Sequence, residues 1–267
     1  MLQERVVLIT GASSGIGAAL ARVYGSHGSR VVLAARRLSR IQDLASEVEC
    51  GKGEALAVAC DVTQDGDVKR VVEQAVERWG RLDTLIANAG FGVTGNVENL
   101  SLDDYRRQFE TNVFGLIRTI KAGLPQILEQ RGRIALIGSV AGFIASPGGS
   151  PYCMSKFAVR ALAQSLRLEL KPQGVSVTHI APGFVDSEIR LKKNDETLPP
   201  GAKDPVPSWL VMNTDKAARQ IFEAIEKRRR QRIVTGHGKL IVFLARHAPW
   251  LLEAGAGHRQ GLSRSSN

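Results

Sequence analysis

Tyr152 and Lys156, four residues apart, are the side chains in this sequence best suited to acid-base chemistry. They open a helical run reaching about residue 171, and residues i and i+4 of a helix lie one above the other. A free phenol, with a pKa of about 10, is a poor proton carrier at neutral pH. An ammonium held beside it stabilises the phenolate and brings the group toward working range. Ser139 lies upstream, just past the apolar run 134–137 and before a loop of three glycines and two prolines. Its hydroxyl can hold a carbonyl oxygen while the tyrosine delivers a proton. Taken alone, Tyr-x-x-x-Lys is more readily two residues of a helix surface than a catalytic device, so its surroundings must decide.

Those surroundings alternate between short apolar runs and helical stretches. Strands are expected over 5–10, 29–35, 54–60, 82–87, 133–138, 175–180 and 232–235. Helices are expected over 18–25, 39–50, 65–79, 102–129, 152–171 and 214–230, the last with Thr214 as N-cap. Such alternation predicts an α/β fold built of βαβ units, a doubly wound parallel sheet of about seven strands with helices on both faces.

Several motifs fall at predicted strand ends. After the first strand come Gly11, Ser13, Ser14, Gly15, Ile16 and Gly17. These glycines permit a tight turn and close backbone approach, and the following helix offers N–H groups and a positive dipole end to a phosphate. The second strand ends in Ala35-Arg36-Arg37. An acid here would bind a ribose 2′-hydroxyl, whereas arginine accommodates a 2′-phosphate. NADP(H) is therefore favoured over NAD(H), the other reading being two solvated arginines. Asp61-Val62 and Asn88-Ala89-Gly90 follow the third and fourth strands, where such sheets bind ligands, though the same residues suit plain turns. Asn112, inside a predicted helix, reads on its own as structural. Pro182-Gly183 ends the sixth strand. The proline-rich stretch 184–210 has the length of a functional lid.

Composition narrows the classes. With 43% apolar and 23% charged residues, the 267-residue chain reads as an ordinary folded protein. One catalytic domain is expected over 1–238, with 184–210 as its substrate loop, followed by an apolar then basic tail over 239–267. The net charge is +10, of which +8 falls after residue 215, and no basic stripe with interleaved aromatics marks a nucleic-acid reader. Cys50, Cys60 and Cys153 make no CxxC pair or metal-ligand spacing, so no metal is expected. There is no leader-like start and no run of spanning length, which points to the cytoplasm. Tail residues 239–252 would pack into a subunit interface, cover the substrate loop or lie on an anionic membrane surface. Residues 255–267 read as disordered.

With these motifs in order, the chain resembles the short-chain dehydrogenase/reductase family over about residues 5–235, in the subgroup that is little more than a Rossmann domain. The resemblance implies a catalytic tetrad of Asn112, Ser139, Tyr152 and Lys156. It implies a cofactor loop at Gly11–Gly17, an adenine contact at Asp61-Val62 and a central-strand motif at Asn88-Ala89-Gly90. Arg36, beside Arg37, sits where NADP-preferring members carry a basic residue, and Pro182-Gly183 falls on the turn beside the nicotinamide. Val185 and Ser187 stand near the place where many members carry a threonine. The implied reaction is hydride transfer between nicotinamide and a carbonyl carbon, with Tyr152 as acid or base and Lys156 tuning it. Ser139 would bind the oxygen, and Asn112 would anchor a relay water. Phe91, Val93, Phe143, Ile144, Phe184 and Ile189 suggest a hydrophobic small-molecule substrate. The helices over 102–129 and 151–171 suggest a homodimer or homotetramer. An epimerase or dehydratase, or a cofactor-binding regulatory protein, would be built on the same scaffold.

Overall fold

Runs of β-branched and aliphatic residues form β1 (Val6–Thr10), β2 (Arg30–Ala35), β3 (Glu54–Ala59), β4 (Thr84–Ala87), β5 (Arg133–Ile137), β6 (Ser176–Ala181) and β7 (Gln231–Ile233) in a computed structural model that describes residues 4–252. All seven pair in parallel, in the order β3-β2-β1-β4-β5-β6-β7. Every residue of β1 and β4 is buried, as expected of strands covered on both faces. On one face α1 (Gly15–Ser26), α2 (Leu38–Glu49) and α7 (Thr214–Glu226) pack on Val7, Ile9, Val31 and Ile180. On the other, α3 (Asp67–Trp79), α5 (Leu116–Glu129) and α6 (Ser150–Leu170) pack on Leu8, Leu85, Leu136 and Val177. The sheet is thus Rossmann-like and doubly wound. Strand order reverses between β1 and β4, which opens a crevice at their C-terminal ends, where ligands bind in such folds.

Three boundaries differ from the sequence reading. The expected single helix over 102–129 is α4 (Leu102–Phe109), a π-helical turn (Glu110–Gly115) and α5. The wider turn accompanies two buried residues, Asn112 and Gly115. A Cβ at Gly115 would lie 2.6 Å from Val62 Cγ2, so the helix seats directly on the segment after β3. Thr214 is not the cap of α7: Asn213 is, accepting from the Asp215 and Lys216 N–H groups, while Thr214 donates to the Asp186 carbonyl. That helix also stops at Glu226, so the basic run 227–230 lies beyond it.

At the other end, α8 (Gly236–His247) runs across residue 238 and is capped by the Thr235 hydroxyl. Val242 of α8 is buried against Val140, Phe143 and Ala181, so this part of the tail closes over the end of β6. The disorder expected over 255–267 lies outside the described residues. No helix among the described residues is long and apolar enough to cross a membrane.

Candidate active site

The crevice begins at the glycine loop. Gly11 has φ +67°, and a Cβ there would come within 2.8 Å of Ala89 Cα; one on Gly17 would come within 2.5 Å of the Gly11 carbonyl oxygen. The loop therefore folds against the β4 end, and no other residue type fits. Asn88 braces the contact, its side chain donating to the Thr10 and Gly11 carbonyls at 2.9 and 3.1 Å. Ser14 at the N-cap does not cap α1 with its side chain, so first-turn N–H groups are left for an anionic ligand. Ile16 packs on the core beneath. This cradle, which added side chains would fill, fits a dinucleotide pyrophosphate.

Arg36 and Arg37 follow β2 as expected, and both are already engaged. Arg36 pairs with Glu196. Arg37 donates to the Ser13 and Ser14 hydroxyls at 2.9 and 2.7 Å and pairs with Glu188 at 2.8 Å, and Arg40 reaches Glu188 at 2.6 Å. Burial pushes the Glu188 carboxyl up, but hydrogen bonds from Arg40 and Arg37 outweigh it and hold the group down at about 2. Arg37 is thus a brace of the glycine loop. Asp61 accepts from the Thr63 N–H and hydroxyl in a local turn and lies close enough to raise the Arg36 pKa, after Glu196. Val62 is buried under Gly115.

Asn112 comes from the π turn and Ser139 from the segment after β5, while Tyr152 and Lys156 both come from α6. Lys156 Nζ is buried, donates to the Ile137 carbonyl at 3.0 Å and lies 5.6 Å from the Tyr152 ring centroid. Ser139 follows β5 in extended conformation, and its hydroxyl accepts from the Ala141 N–H at 3.1 Å. A Cβ on Gly90 would lie 3.0 Å from Asn112 Oδ1 and 3.7 Å from Lys156 Nζ, so these three positions converge. Asn112, 1% exposed, accepts from the Phe91 N–H at 3.0 Å and donates to the Phe91 carbonyl at 3.0 Å and to Ser155 Oγ at 3.2 Å. Ser155 in turn donates to the Tyr152 carbonyl at 2.7 Å. The amide thereby ties the π turn, the segment after β4 and α6 into one unit.

Electrostatics depart from the simple expectation. Burial raises the Tyr152 phenol above its ordinary value, and a hydrogen bond from Ser139 and the charge of Arg190 pull only partly against it. Burial lowers Lys156 to about 8. In the protein alone, desolvation dominates both groups.

The turn at Pro182-Gly183 is fixed from two sides. The Pro182 carbonyl accepts from the Val140 N–H, and a Cβ on Gly183 would lie 2.2 Å from Thr235 Oγ1. Val185 is buried and bridges Met212, while Ser187 approaches the glycine loop, its Cβ 3.2 Å from where one on Gly15 would stand. Of the apolar set, Ile189 lies with the Tyr152 ring beside Gly92. Phe91 and Val93 are buried, Phe143 and Ile144 pack with α8, and Phe184 stacks on His237 with centroids 5.2 Å apart. Sequence reasoning missed Gln108, buried and bonded to the Val93 N–H and Phe91 carbonyl. It also missed Arg190, which pairs with Asp204 across the loop. A polar residue one turn before Asn112 was the only sign of Gln108.

The family model of short chain dehydrogenases matches residues 5–198. An uncharacterized oxidoreductase of Listeria monocytogenes is 36% identical over 191 residues, covering 70% of this chain and 77% of its own. The 11-beta-hydroxysteroid dehydrogenase A of Sesamum indicum is 33% identical over 227 residues, covering 82% and 65%. A short chain dehydrogenase/reductase from Burkholderia phymatum in complex with NAD has a TM-score of 0.83 at 25% identity, covering 94% and 96% of the two chains. An alcohol dehydrogenase from Thermococcus sibiricus complexed with 5-hydroxy-NADP has a TM-score of 0.77 at 28% identity, covering 87% and 97%.

Proposed function

The chain belongs to the short-chain dehydrogenase family, and from that premise we propose an NADP(H)-dependent oxidoreductase that interconverts a carbonyl and a secondary alcohol on a hydrophobic substrate. One observation carries this reading: a desolvated phenol, a buried ammonium and a serine hydroxyl meet beside a glycine cradle fit for a dinucleotide. The bound nicotinamide supplies or accepts the hydride. Tyr152 gives its proton to the carbonyl oxygen in reduction and takes it back in oxidation. Its raised pKa keeps it protonated, as an acid must be. Ser139 orients that oxygen, and Lys156, a turn along α6, replenishes the proton and offers its remaining N–H groups to ribose hydroxyls. Asn112 holds the geometry rather than the proton, since both ends of its amide are occupied.

Arg36 supports the NADP(H) preference, being a cation where NAD-binding sites of this fold carry an acid. The hydrophobic substrate is supported by Ile189 beside Tyr152 and by the steroid dehydrogenase among the relatives. Exposed Leu102, Phe114, Met154, Phe157 and Leu168 on α4, the π turn and α6 support a homo-oligomer. Exposed Leu240, Phe243, Trp250 and Leu251, near basic Arg246, support contact with a membrane surface.

The test is a panel of hydrophobic ketones assayed for NADPH consumption. Tyr152→Phe should lower kcat by roughly 10³-fold, within the usual range for a lost general acid, with NADPH binding by fluorescence unchanged. Substantial turnover in that variant would refute the assignment.

A further inference from the structure

On the flank away from the glycine loop, His179 of β6 is 3% exposed, and neither ring nitrogen has a hydrogen-bond partner. A buried polar group left unpaired is costly and needs an explanation. The imidazole forms part of the wall of a cavity of about 150 Å³, completed by Arg160, Gln164 and Arg167 of α6 and by Arg230 and Gln231 at the start of β7. No carboxylate is in that wall. Arg167 and Arg230 make no side-chain hydrogen bond or ion pair among the described residues, and Arg160 donates only to the Gly142 carbonyl, at 3.0 Å. A further cation is close: Arg160 and Arg246 both lie over the Phe143 ring, at 4.2 and 5.4 Å. The positive charges oppose one another here. Burial pushes His179 down to about 4, and Arg160 and Lys156 push the same way; burial and Arg246 lower Arg160.

We propose that this cavity, with the His179 ring in its wall, is a binding site for a small tetrahedral oxyanion, inorganic phosphate or the phosphate of a monoester, held by Arg160, Arg167 and Arg230. Guanidinium groups match phosphate oxygens in pairs. The two glutamines add uncharged donors. The space admits a ligand of phosphate size. The site is separate from the cofactor cradle, which lies between the ends of β1 and β4.

Calorimetric titration decides it. Cofactor-saturated protein, its cradle filled, is titrated with inorganic phosphate and with glycerol phosphate, using chloride at equal ionic strength as control. Saturable binding of one phosphate per chain is expected, weakened at least tenfold in an Arg167→Gln, Arg230→Gln double variant. Both arginines reach the surface, so that variant should fold. The imidazole resonance missing from His179→Asn should shift along the same saturation curve. Glycerol phosphate binding as tightly as phosphate would identify a monoester as the ligand, and weaker binding the free ion. No saturable heat above chloride, undiminished binding in the double variant, or a His179 resonance indifferent to phosphate would each overturn the proposal.

Discussion

Burying the Lys156 ammonium carries a cost to folding. Its folded pKa of about 8 lies below its ordinary 10.5, so as pH falls the unfolded chain takes up the proton first. Stability from this group therefore rises with pH from about 8 toward 10.5. Cys60, pushed up to about 12 from an ordinary 9.0 by burial, works in the opposite sense above pH 9 and leaves pH 8–9 as the clean window. Between those values the native chain should gain about 1 kcal/mol relative to a Lys156→Met variant, by chemical denaturation at each pH. Parallel pH curves for the two proteins would mean that the lysine is better solvated than its burial implies. The same variant should lose turnover, which separates the residue's chemical role from its stability cost.

Elements carry the next level of control. The π turn directs Asn112 inward, and Asn112→Ala would leave the buried Phe91 N–H without a partner while Gln108 still serves its carbonyl. A loss of about 1–3 kcal/mol is expected for that orphaned donor, read as a lower denaturation midpoint with unchanged slope. The loop after β6 makes a second link. Its Glu188 and Glu196 sit on Arg37 and Arg36, so under the proposed NADP(H) preference carboxylate and 2′-phosphate would compete for the same cations. Glu196→Gln should tighten NADPH binding several-fold and leave NADH binding nearly unchanged. Equal effects on both cofactors would remove Arg36 from 2′-phosphate recognition. Arg36→Ala should weaken NADPH alone, whereas Arg37→Ala should weaken both, because Arg37 holds Ser13 and Ser14 in place.

In the whole molecule, the parallel sheet brings all these groups to one edge. β1 and β4 supply the cradle, β2 and β3 end at Arg36 and Asp61, and β5 and β6 end at Ser139 and Pro182. Exposed apolar side chains also lie on α4, the π turn, α6 and α8. A Phe157→Asp, Leu168→Asp variant should sediment as a monomer if the α6 face joins subunits, and native-like circular dichroism would show that the fold survives. Cosedimentation with anionic vesicles at low salt tests α8 and the residues just after it in the same preparation. Trp250→Ser should weaken it, and no binding by the native chain would end the membrane reading.

Alternation of apolar runs with helical stretches was enough to determine the sheet, because parallel strands buried on both faces leave an unbroken aliphatic signature. The glycine loop was also legible, since only glycine meets the φ of position 11 and the crowding at position 17. Local patterns could not reveal the break at Glu110–Gly115, since helical periodicity looks the same until Phe91 and Ser155 offer Asn112 its partners. Nor could they show that Arg36 and Arg37 face Glu196 and Glu188, more than 150 residues away. Tyr152 and Lys156 were found by their spacing on one helix. Their protonation was decided by burial, which exists only once β5, α6 and the loop after β4 close around them.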